Sequence, residues 1–508
     1  MKFYQCHFTR RFFDLGDQFY TPVTATGLRS PYWVHLNQDA LSLLTPDANI
    51  NNFKTTENLK IFSGSTPLAN NPGLAMVYAG HQFGGYSSQL GDGRGLLIGQ
   101  MDTRQGVIDM HLKGAGKTPY SRFGDGRAVL RSSIREYLAG EAMHGLGIPT
   151  TRALCIVGSD EPVIREDIET AAITTRLART HIRFGHFEYF HYTQQYDAVK
   201  QLADHVIKHF IPEPILGRQG YVQLLDFAVK STALMIAKWQ AVGFAHGVMN
   251  TDNMSIIGET FDYGPYGFLD DYEPGFICNH SDHSGRYAFD QQPGIGLWNL
   301  NALAHSLSSL IDTDAIATVL SRYKITLAEH YAELMRAKLG LKTSEHGDQS
   351  LSTRLLQQMA TEKIDYTCCF RALCDFKTVC GLQTAKKDKR SIVENHTDKL
   401  IENNRMFVEL FTDKEEIHHW CIDYNNRLHR EGSIDSERQQ FMRRNNPKYV
   451  LRNYLVQKAI VAAKKKDYDE IDRLLTLVRR PYDEHPEMEA YAVAPVAADK
   501  HLSISCSS

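Results

Sequence analysis

The sequence lacks a hydrophobic run long enough to cross a membrane. No apolar stretch approaches the roughly 20 residues that a transmembrane helix requires. Residues 1–11 also contain no hydrophobic core of the kind found in signal peptides. We therefore expect a cytoplasmic protein without a membrane partner.

Cysteine is scarce, and neither sign of charge is in large excess. The chain has 9 cysteines in 508 residues, without a repeated spacing, which excludes a secreted disulfide framework. Its 56 basic and 59 acidic residues give a net charge of −3, and this balance argues against a nucleic-acid partner. Nothing in the composition indicates an oligomer, so a monomer is the working expectation.

The segment Phe244–Gly264 carries the residue types of a metal site. Asp252, Asn253 and Asp262 flank the apolar run Met254–Ile257, which is predicted to be a strand. Turns at the two ends of one strand can bring their oxygen atoms together. Mg²⁺ prefers such oxygens and keeps positions open for phosphates.

Protein kinases arrange an H-R-D-x-x-x-x-N loop and a D-F-G turn in a similar frame. Here the frame consists of His246, Val248, Asn253 and Asp262, so valine stands where kinases have the catalytic base. A valine side chain cannot accept a proton. The segment therefore predicts binding of a metal nucleotide without ordinary kinase chemistry.

Hydrophobic periodicity predicts strands first and helices later. Strands are expected at 96–99, 107–113 and 171–177, a helix from Leu130 to Leu146, and further helices at 225–242, 299–311, 314–339 and within 350–480. This order predicts an α+β, protein-kinase-like bilobal fold with the nucleotide between the lobes.

The expected segments follow from these elements and from a polar linker near residue 345. They are an N-terminal extension at 1–70, a kinase-like N-lobe at 71–190, a kinase-like C-lobe with the metal-binding loops at 191–340, a C-terminal helical region at 341–490 and a tail at 491–508 that contains Cys506.

Two glycine-rich turns are candidates for binding phosphate through backbone N–H groups. The first, Gly91–Gly95, precedes a strand, and a plain tight turn is an equal alternative. The second, Arg122–Ala128, enters the helix from Leu130, and its Asp125 could instead cap that helix. The glycine-rich Gly80–Gly85 upstream has no assigned role.

Lys113 ends an amphipathic strand ahead of Gly-Ala-Gly, as a phosphate-binding lysine requires, although a surface lysine is an alternative. Glu136 lies among small residues on its helix and could approach Lys113 closely, or it could face solvent. Arg176, Arg179 and Arg183 lie in a stretch without acidic residues, which predicts unpaired guanidiniums for polyphosphate or a solvated basic face.

The motifs together resemble the selenoprotein O family over almost the whole chain. They are Gly80–Gly84, Gly91–Arg94, His111–Gly116, Arg122–Arg127, Arg176–Phe187, Asn250–Met254 and the terminal Cys-Ser-Ser. The resemblance implies a pseudokinase fold that binds ATP in a flipped orientation and transfers AMP to Ser, Thr or Tyr hydroxyls of protein substrates.

The resemblance also implies roles for single residues. Asp252 becomes the proton acceptor, and Asn253 and Asp262 become Mg²⁺ ligands. The implied nucleotide-binding positions are Gly91, Gly93, Arg94, Lys113, Asp125, Gly126, Arg176, Arg183 and Asp262, with Glu136 paired to Lys113. Mn²⁺ and UMP transfer remain open alternatives.

Two further expectations concern regulation and the competing function. We expect Cys278 and Cys506 to form a disulfide under oxidising conditions, which would tie the C-terminal tail to the segment after Asp262. The alternative function is a non-catalytic ATP-binding pseudokinase scaffold, and a conventional kinase is a third candidate that Val248 opposes.

Overall fold

The structure is a computed structural model that describes residues 3, 6–380, 390–500 and 502. Its strands are β1 Phe8–Thr9, β2 Tyr20–Val23, β3 Tyr32–Leu36, β4 Gly73–Met76, β5 Gly80–Gln82, β6 Gly85–Ser87, β7 Gly95–Thr103, β8 Gly106–Lys113, β9 Ala128–Val129, β10 Arg152–Ile164, β11 Ile168–Ala178, β12 Phe244–Ala245 and β13 Gly267–Phe268. Its helices are α1 Gln38–Leu44, α2 Ile50–Phe53, α3 Thr56–Phe62, α4 Leu130–Gly145, α5 Phe184–Tyr192, α6 Tyr196–Phe210, α7 Arg218–Val242, α8 Gln292–Ser306, α9 Thr313–Lys338, α10 Asp348–Glu362, α11 Tyr366–Leu373, α12 Arg390–Asn403, α13 Arg405–Val408, α14 Lys414–Arg430, α15 Asp435–Asn445, α16 Asn453–Ala463 and α17 Asp469–Arg479.

One large antiparallel sheet dominates the first part of the chain. Its strand order is β2-β4-β7-β8-β11-β10-β3, with β1 added to β7 and β9 to β11. The central pairs place Lys113 opposite Thr174 and His111 opposite Arg176. Because residues two apart on a strand share a face, His111, Lys113 and Arg176 lie on the same side of the sheet.

The predicted mixed α and β architecture is confirmed. Most of the sheet precedes most of the helices, but α1–α3 lie before β4, and β12 and β13 follow α7. Strands β7, β8 and β11 cover the predicted ones, and α4 carries the predicted stripe, whose residues Leu130, Ile134, Leu138, Ala142 and Leu146 are buried. The strand predicted at Met254–Ile257 is wrong. That run forms one isolated bridge, between Ser255 and Arg183. It lies between two loops and does not join a sheet.

Segments from both ends of the chain pack with the large sheet and its helix α4. Strand β1 pairs with β7, β2 pairs with β4, and β3 pairs with the edge of β10, so the first 70 residues contribute three strands to the sheet. Helices α10, α11, α13 and α14 pack around a second hydrophobic core that includes the buried Trp420. Helices α16 and α17 instead return to α4 and join the first core.

A buried ion-pair network fixes this return. Glu141 of α4 is fully buried and accepts two hydrogen bonds from the Arg152 guanidinium, at 2.5 and 2.8 Å. Arg479, at the end of α17, donates to the same carboxylate at 3.1 Å and to Asn37 Oδ1 at 2.5 Å. Asn37 caps helix α1, so the network joins four separate elements.

Two features of the helical part position the loops of the cavity described below. Helix α7 ends at Gly243, whose left-handed conformation (φ 70°) turns the chain into β12 and the segment from His246. No helix in the described ranges combines the length and the apolar character that spanning a bilayer requires.

We predict that Glu141→Ala lowers the free energy of unfolding by about 3–5 kcal/mol, because Arg152 then stays buried without its partner. Calorimetry should show a lower midpoint of thermal unfolding. Glu409→Ala is the matched control, because that glutamate forms an exposed pair with Arg405 one helical turn away and should change stability by at most about 0.5 kcal/mol. Equal midpoints for the two variants would contradict the importance of the network.

Candidate nucleotide-binding site

A cavity of about 500 Å³ lies between the sheet and the segment that follows β12. Seven arginine and lysine side chains and four aspartates line it, so cations are in excess. The sequence-predicted residues at its wall are Gly91, Gly93, Arg94, Lys113, Asp125, Gly126, Arg176, Arg183, Asp252, Asn253 and Asp262. Residues that are up to 171 positions apart in sequence thus meet in one site.

Glu136 lies behind this wall and connects two of its cations. Lys113 Nζ donates to Glu136 Oε2 at 2.5 Å, and the Arg176 guanidinium donates to both carboxylate oxygens. Burial opposes the charged form of Glu136, but Arg176 and Lys113 outweigh it and hold the pKa of this carboxyl at about 2. Glu136 is 3% exposed and Lys113 8%, so neither the solvated-face nor the surface-lysine alternative is correct.

Asp262 is the second carboxylate of the cluster. It accepts a hydrogen bond from Arg176 Nη2 at 2.6 Å and another from Arg183 Nη1, one on each oxygen. Burial disfavours its charge, but Arg176, Arg183 and Lys113 prevail and keep its pKa well below the usual range. Its backbone is left-handed (φ 60°), which aspartate tolerates better than most residues.

The arginines differ from the sequence prediction in having acidic partners. Their own stretch contains no carboxylate, but Glu136, Asp262 and Glu259 reach them from other parts of the chain. The expectation of unpaired guanidiniums is therefore wrong. Arg176 and Arg183 are buried, whereas the Arg179 side chain is 46% exposed and pairs with Glu259 outside the cavity wall.

The first glycine-rich turn is shaped by close contact with Tyr120. Gly91 has φ 72°, and a side chain on it would overlap the Tyr120 ring. A Cβ on Gly93 would lie 2.8 Å from the Tyr120 carbonyl oxygen. Asp92 between them accepts hydrogen bonds from Met76 N at 3.1 Å and Tyr78 Oη at 3.2 Å, which holds the turn against the sheet.

The second turn forms the outer rim of the cavity. Asp125 there pairs with Arg165 at 2.8 Å and accepts a hydrogen bond from Arg127 N at 2.9 Å. Helix α4 begins at Leu130, so the alternative that Asp125 caps this helix is wrong. Arg165 follows β10 directly, and its distance from Asp125 in sequence left no signal that could have identified it.

Asp252 presents a carboxylate to the cavity next to this cationic cluster. Burial raises the pKa of Asp252 to about 7, against the lowering effect of Arg183. In the described part of the chain its Oδ1 atom is buried without a hydrogen-bond partner, while Oδ2 accepts one from Gln82 Nε2 at 3.2 Å. A carboxylate at a cavity wall whose pKa is raised by burial is suited to accept a proton.

Asn253 and Asp262 have ligand atoms that fit a hard divalent cation. Asn253 Nδ2 donates to Val248 O at 3.0 Å, which leaves Oδ1 on the other side of the amide. The His246 ring lies 3.0 Å from Phe261 O through Nε2 and so ties the two ligand-bearing loops together. Within the described ranges no group of three Asp, Glu, His or Cys residues forms a site by itself. An amide and a carboxylate are a partial set that Mg²⁺ completes with water and phosphate.

Cys278 is buried outside this cavity, and Cys506 lies outside the described residues. Cys278 Sγ is 3.5 Å from Ala245 O, and a side chain on Gly247 would meet the sulfur at 2.6 Å. Cys278 lines a second cavity together with Leu502 from the tail. The tail is held there by an ion pair between Lys500 Nζ and the Asp271 carboxylate at 2.7 Å.

The chain is similar to proteins that are named as nucleotidyltransferases. A family model for the protein adenylyltransferase SelO matches residues 2–479. Two proteins named protein nucleotidyltransferase YdiU, from Vibrio vulnificus and Vibrio cholerae, are 49% and 50% identical; each alignment covers 99% of this chain, and 98% and 99% of those proteins. A third, from Myxococcus xanthus, is 50% identical over 94% of this chain and 93% of its own length.

We predict that inorganic tripolyphosphate binds the cavity and that Arg183→Leu weakens this binding by about 10- to 100-fold, because charge-assisted hydrogen bonds contribute about 1.5–3 kcal/mol each. Isothermal titration calorimetry measures the change. Arg179→Leu is the matched control and should retain wild-type affinity, since Arg179 lies outside the cavity wall. Equal losses in both variants would show that general surface charge, rather than this cavity, binds the anion.

Proposed function

Because the chain belongs to the family of the protein adenylyltransferase SelO and is a protein nucleotidyltransferase, we propose that it transfers AMP from ATP to Ser, Thr or Tyr hydroxyls of protein substrates. The observation that supports this most strongly is a buried cationic cluster next to an unpartnered carboxylate oxygen, Asp252 Oδ1. UMP transfer from UTP is a secondary activity of the same site.

The proposed orientation of ATP places the β- and γ-phosphates deep in the cavity. Lys113, Arg176 and Arg183 are each less than a tenth exposed, whereas the rim at Asp125 is exposed. Cations bound to the outer phosphates stabilise pyrophosphate as it leaves. The α-phosphorus then faces the entrance near Asp252, which reverses the polarity of a kinase.

In the proposed reaction, Asp252 accepts the proton of the acceptor hydroxyl. The acceptor oxygen forms a bond to the α-phosphorus, the bond from that phosphorus to the β-phosphate oxygen breaks, and pyrophosphate leaves with the electron pair. Asn253 and Asp262 hold Mg²⁺ or Mn²⁺, which supplies positive charge to the transferring group when bound. Lys113 and the two arginines orient the polyphosphate, and positioning of this kind accounts for much of catalysis in phosphoryl chemistry.

The wider setting is also part of the proposal. The sheet layer at 71–190 and the helical layer at 191–340 correspond to the two lobes of a kinase-like fold, with 1–70 as an extension, 341–490 as a helical region and 491–508 as a tail. Val248 at the cavity wall stands where a kinase would need its base. The protein acts in the cytoplasm as a monomer, on protein substrates and not on nucleic acid.

A redox contact between Cys278 and Cys506 is the regulatory part of the proposal. Leu502 lines the cavity that contains Cys278, and four residues can span at most about 13–14 Å when fully extended. Oxidation of the two thiols by a disulfide such as oxidised glutathione removes two electrons and two protons. The bridge would change the packing of the Cys278 sulfur against Gly247. Gly247 lies in the segment that leads to Asp252.

We predict that incubation with a mixture of substrate proteins transfers label from α-labelled ATP and not from γ-labelled ATP. The reason is that the proposed orientation makes pyrophosphate the leaving group. Autoradiography after denaturing electrophoresis reads both reactions. Label from the γ-position alone would reject AMP transfer in favour of a conventional kinase, and label from neither would favour the ATP-binding scaffold.

The same assay separates binding from chemistry at Asp252. Asp252→Ala should retain ATP affinity in calorimetry and lose about 100-fold or more in the rate of transfer, as expected for removal of a general base. Asp290→Ala serves as a control, because this aspartate lies outside the cavity wall. An Asp252→Ala enzyme with the wild-type rate would exclude Asp252 as the proton acceptor.

We predict that non-reducing peptide mapping after treatment with oxidised glutathione finds a peptide that joins Cys278 to Cys506, because the described tail already lies at the Cys278 cavity. Lys500→Glu should reduce the yield of this peptide, since it replaces the ion pair with Asp271 by repulsion. Both thiols unmodified after oxidation, or Cys278 joined to another cysteine, would contradict the proposed bridge.

A further inference from the structure

The hairpin formed by β5 and β6 lies directly against the proposed proton acceptor. Gln82, at the end of β5, donates from Nε2 to Asp252 Oδ2 at 3.2 Å and lines the cavity itself. Gly80 approaches the same side chain so closely that a Cβ would lie 2.7 Å from Asp252 Oδ1. These contacts come from the glycine-rich segment to which the sequence assigned no role.

The two oxygens of Asp252 therefore have different surroundings. Oδ2 accepts the Gln82 hydrogen bond, whereas Oδ1 is buried without a partner in the described part of the chain. A single hydrogen bond to one oxygen fixes the rotation of the carboxylate about its Cβ–Cγ bond. The carboxylate is thereby held in one orientation at the cavity wall.

The hairpin is anchored to the loop of Asp252 on one side by Glu188. His81 N donates to Thr251 Oγ1 at 2.7 Å, and Thr251 Oγ1 donates to Glu188 Oε2. The His81 ring nitrogen Nδ1 lies 2.5 Å from Glu188 Oε1. Glu188 is fully buried, so both of its oxygens are engaged in holding the hairpin and the loop together.

On the other side, Tyr287 anchors the tip of the hairpin. Phe83 N donates to the Tyr287 hydroxyl at 2.9 Å, and that hydroxyl donates to Asn250 Oδ1 at 2.6 Å. Asn250 and Thr251 immediately precede Asp252. The hairpin and the loop of Asp252 are thus fixed to each other at two points that flank Gln82, which holds the backbone from which its amide reaches Asp252.

We propose that Gln82 is a positioning residue for nucleotide transfer: its amide holds Asp252 Oδ2 and so fixes the orientation of the carboxylate that accepts the proton of the acceptor hydroxyl. The proton of the acceptor hydroxyl passes to the Asp252 carboxylate, while the hydroxyl oxygen bonds to the α-phosphorus and pyrophosphate departs with the electron pair. Gly80 contributes to the same orientation, because a Cβ at this position would press on Asp252 Oδ1 from 2.7 Å. This inference rests on the proposed function, since Asp252 is given its role there.

The test is a double-mutant cycle on the full-length protein. Gln82→Leu keeps the size of the side chain and removes the donor; we expect kcat for transfer to fall by about 100-fold, as a small misplacement of a catalytic group does. The KM for ATP, the ATP affinity and the thermal midpoint should stay at wild-type values. In an Asp252→Ala background, Gln82→Leu should have no further effect, because the group that it positions is absent.

Matched variants of the same hairpin make the result specific. Ser87→Ala changes the residue that pairs with Gly80 on the second strand and should keep the wild-type kcat. Gly80→Ala should lower kcat without changing ATP affinity, since its methyl group would press on Asp252. A Gln82→Leu variant with normal kcat, or with a loss that is undiminished in the Asp252→Ala background, would overturn the positioning role.

Both ATP labels are used, so that AMP transfer and the positioning role of Gln82 can be rejected separately. If the wild-type protein transfers only the γ-label while the coupling of Gln82 to Asp252 persists, AMP transfer is rejected and the positioning role stands. If the α-label is transferred and the coupling is missing, the positioning role alone is rejected. A wild-type protein that transfers neither label would overturn both.

Discussion

The negative charge of Asp262 allows several cations to be buried at one wall of a cavity. Arg176 and Arg183 each donate to one of its oxygens, and Glu136 provides the second carboxylate, shared by Arg176 and Lys113. Burying a guanidinium without such a partner is strongly unfavourable. The two central strands, the helix that carries Glu136 and the loop of Asp262 therefore have to meet at this point, and the cavity lies where they meet.

The same charge balance suits the proposed substrate. In the proposed complex, polyphosphate would bring negative charge to Arg176, Arg183 and Lys113, while a divalent cation would bring positive charge to Asp262. The cationic side chains can thus exchange a carboxylate partner for a phosphate, and Asp262 can exchange an arginine partner for the metal cation. No buried charge is then left unpaired. Asp252 stands beside this exchange, with one oxygen held by Gln82 and the other buried without a partner among the described residues. Substrate binding and proton acceptance are therefore assigned to different carboxylates.

Local patterns predicted the elements and many of the site residues, whereas long-range pairing escaped them. The alternation that ends at Lys113 and the leucine stripe of α4 correspond to β8 and α4, because burial of one face determines both periods. The prediction of a strand after Asn253 is wrong, since a short apolar run has no hydrophobic periodicity that would distinguish a strand from a loop. The partners of Arg179 and Asp125 lie 80 and 40 positions away in sequence, and no local pattern reports such contacts. Gln82 was missed for the same reason.

The return of α17 to α4 has a consequence for the newly made chain. Arg479 reaches Asn37 across 442 positions of sequence and Glu141 across 338. A ribosome adds about 5–20 residues per second, so helix α4 waits on the order of tens of seconds for its last partner. Because α4 carries Glu136, the helix behind the cavity gains this contact only after residue 479 has been made. A chain that ends before α17 would accordingly lack the clasp that Arg479 provides between α4 and the first helix.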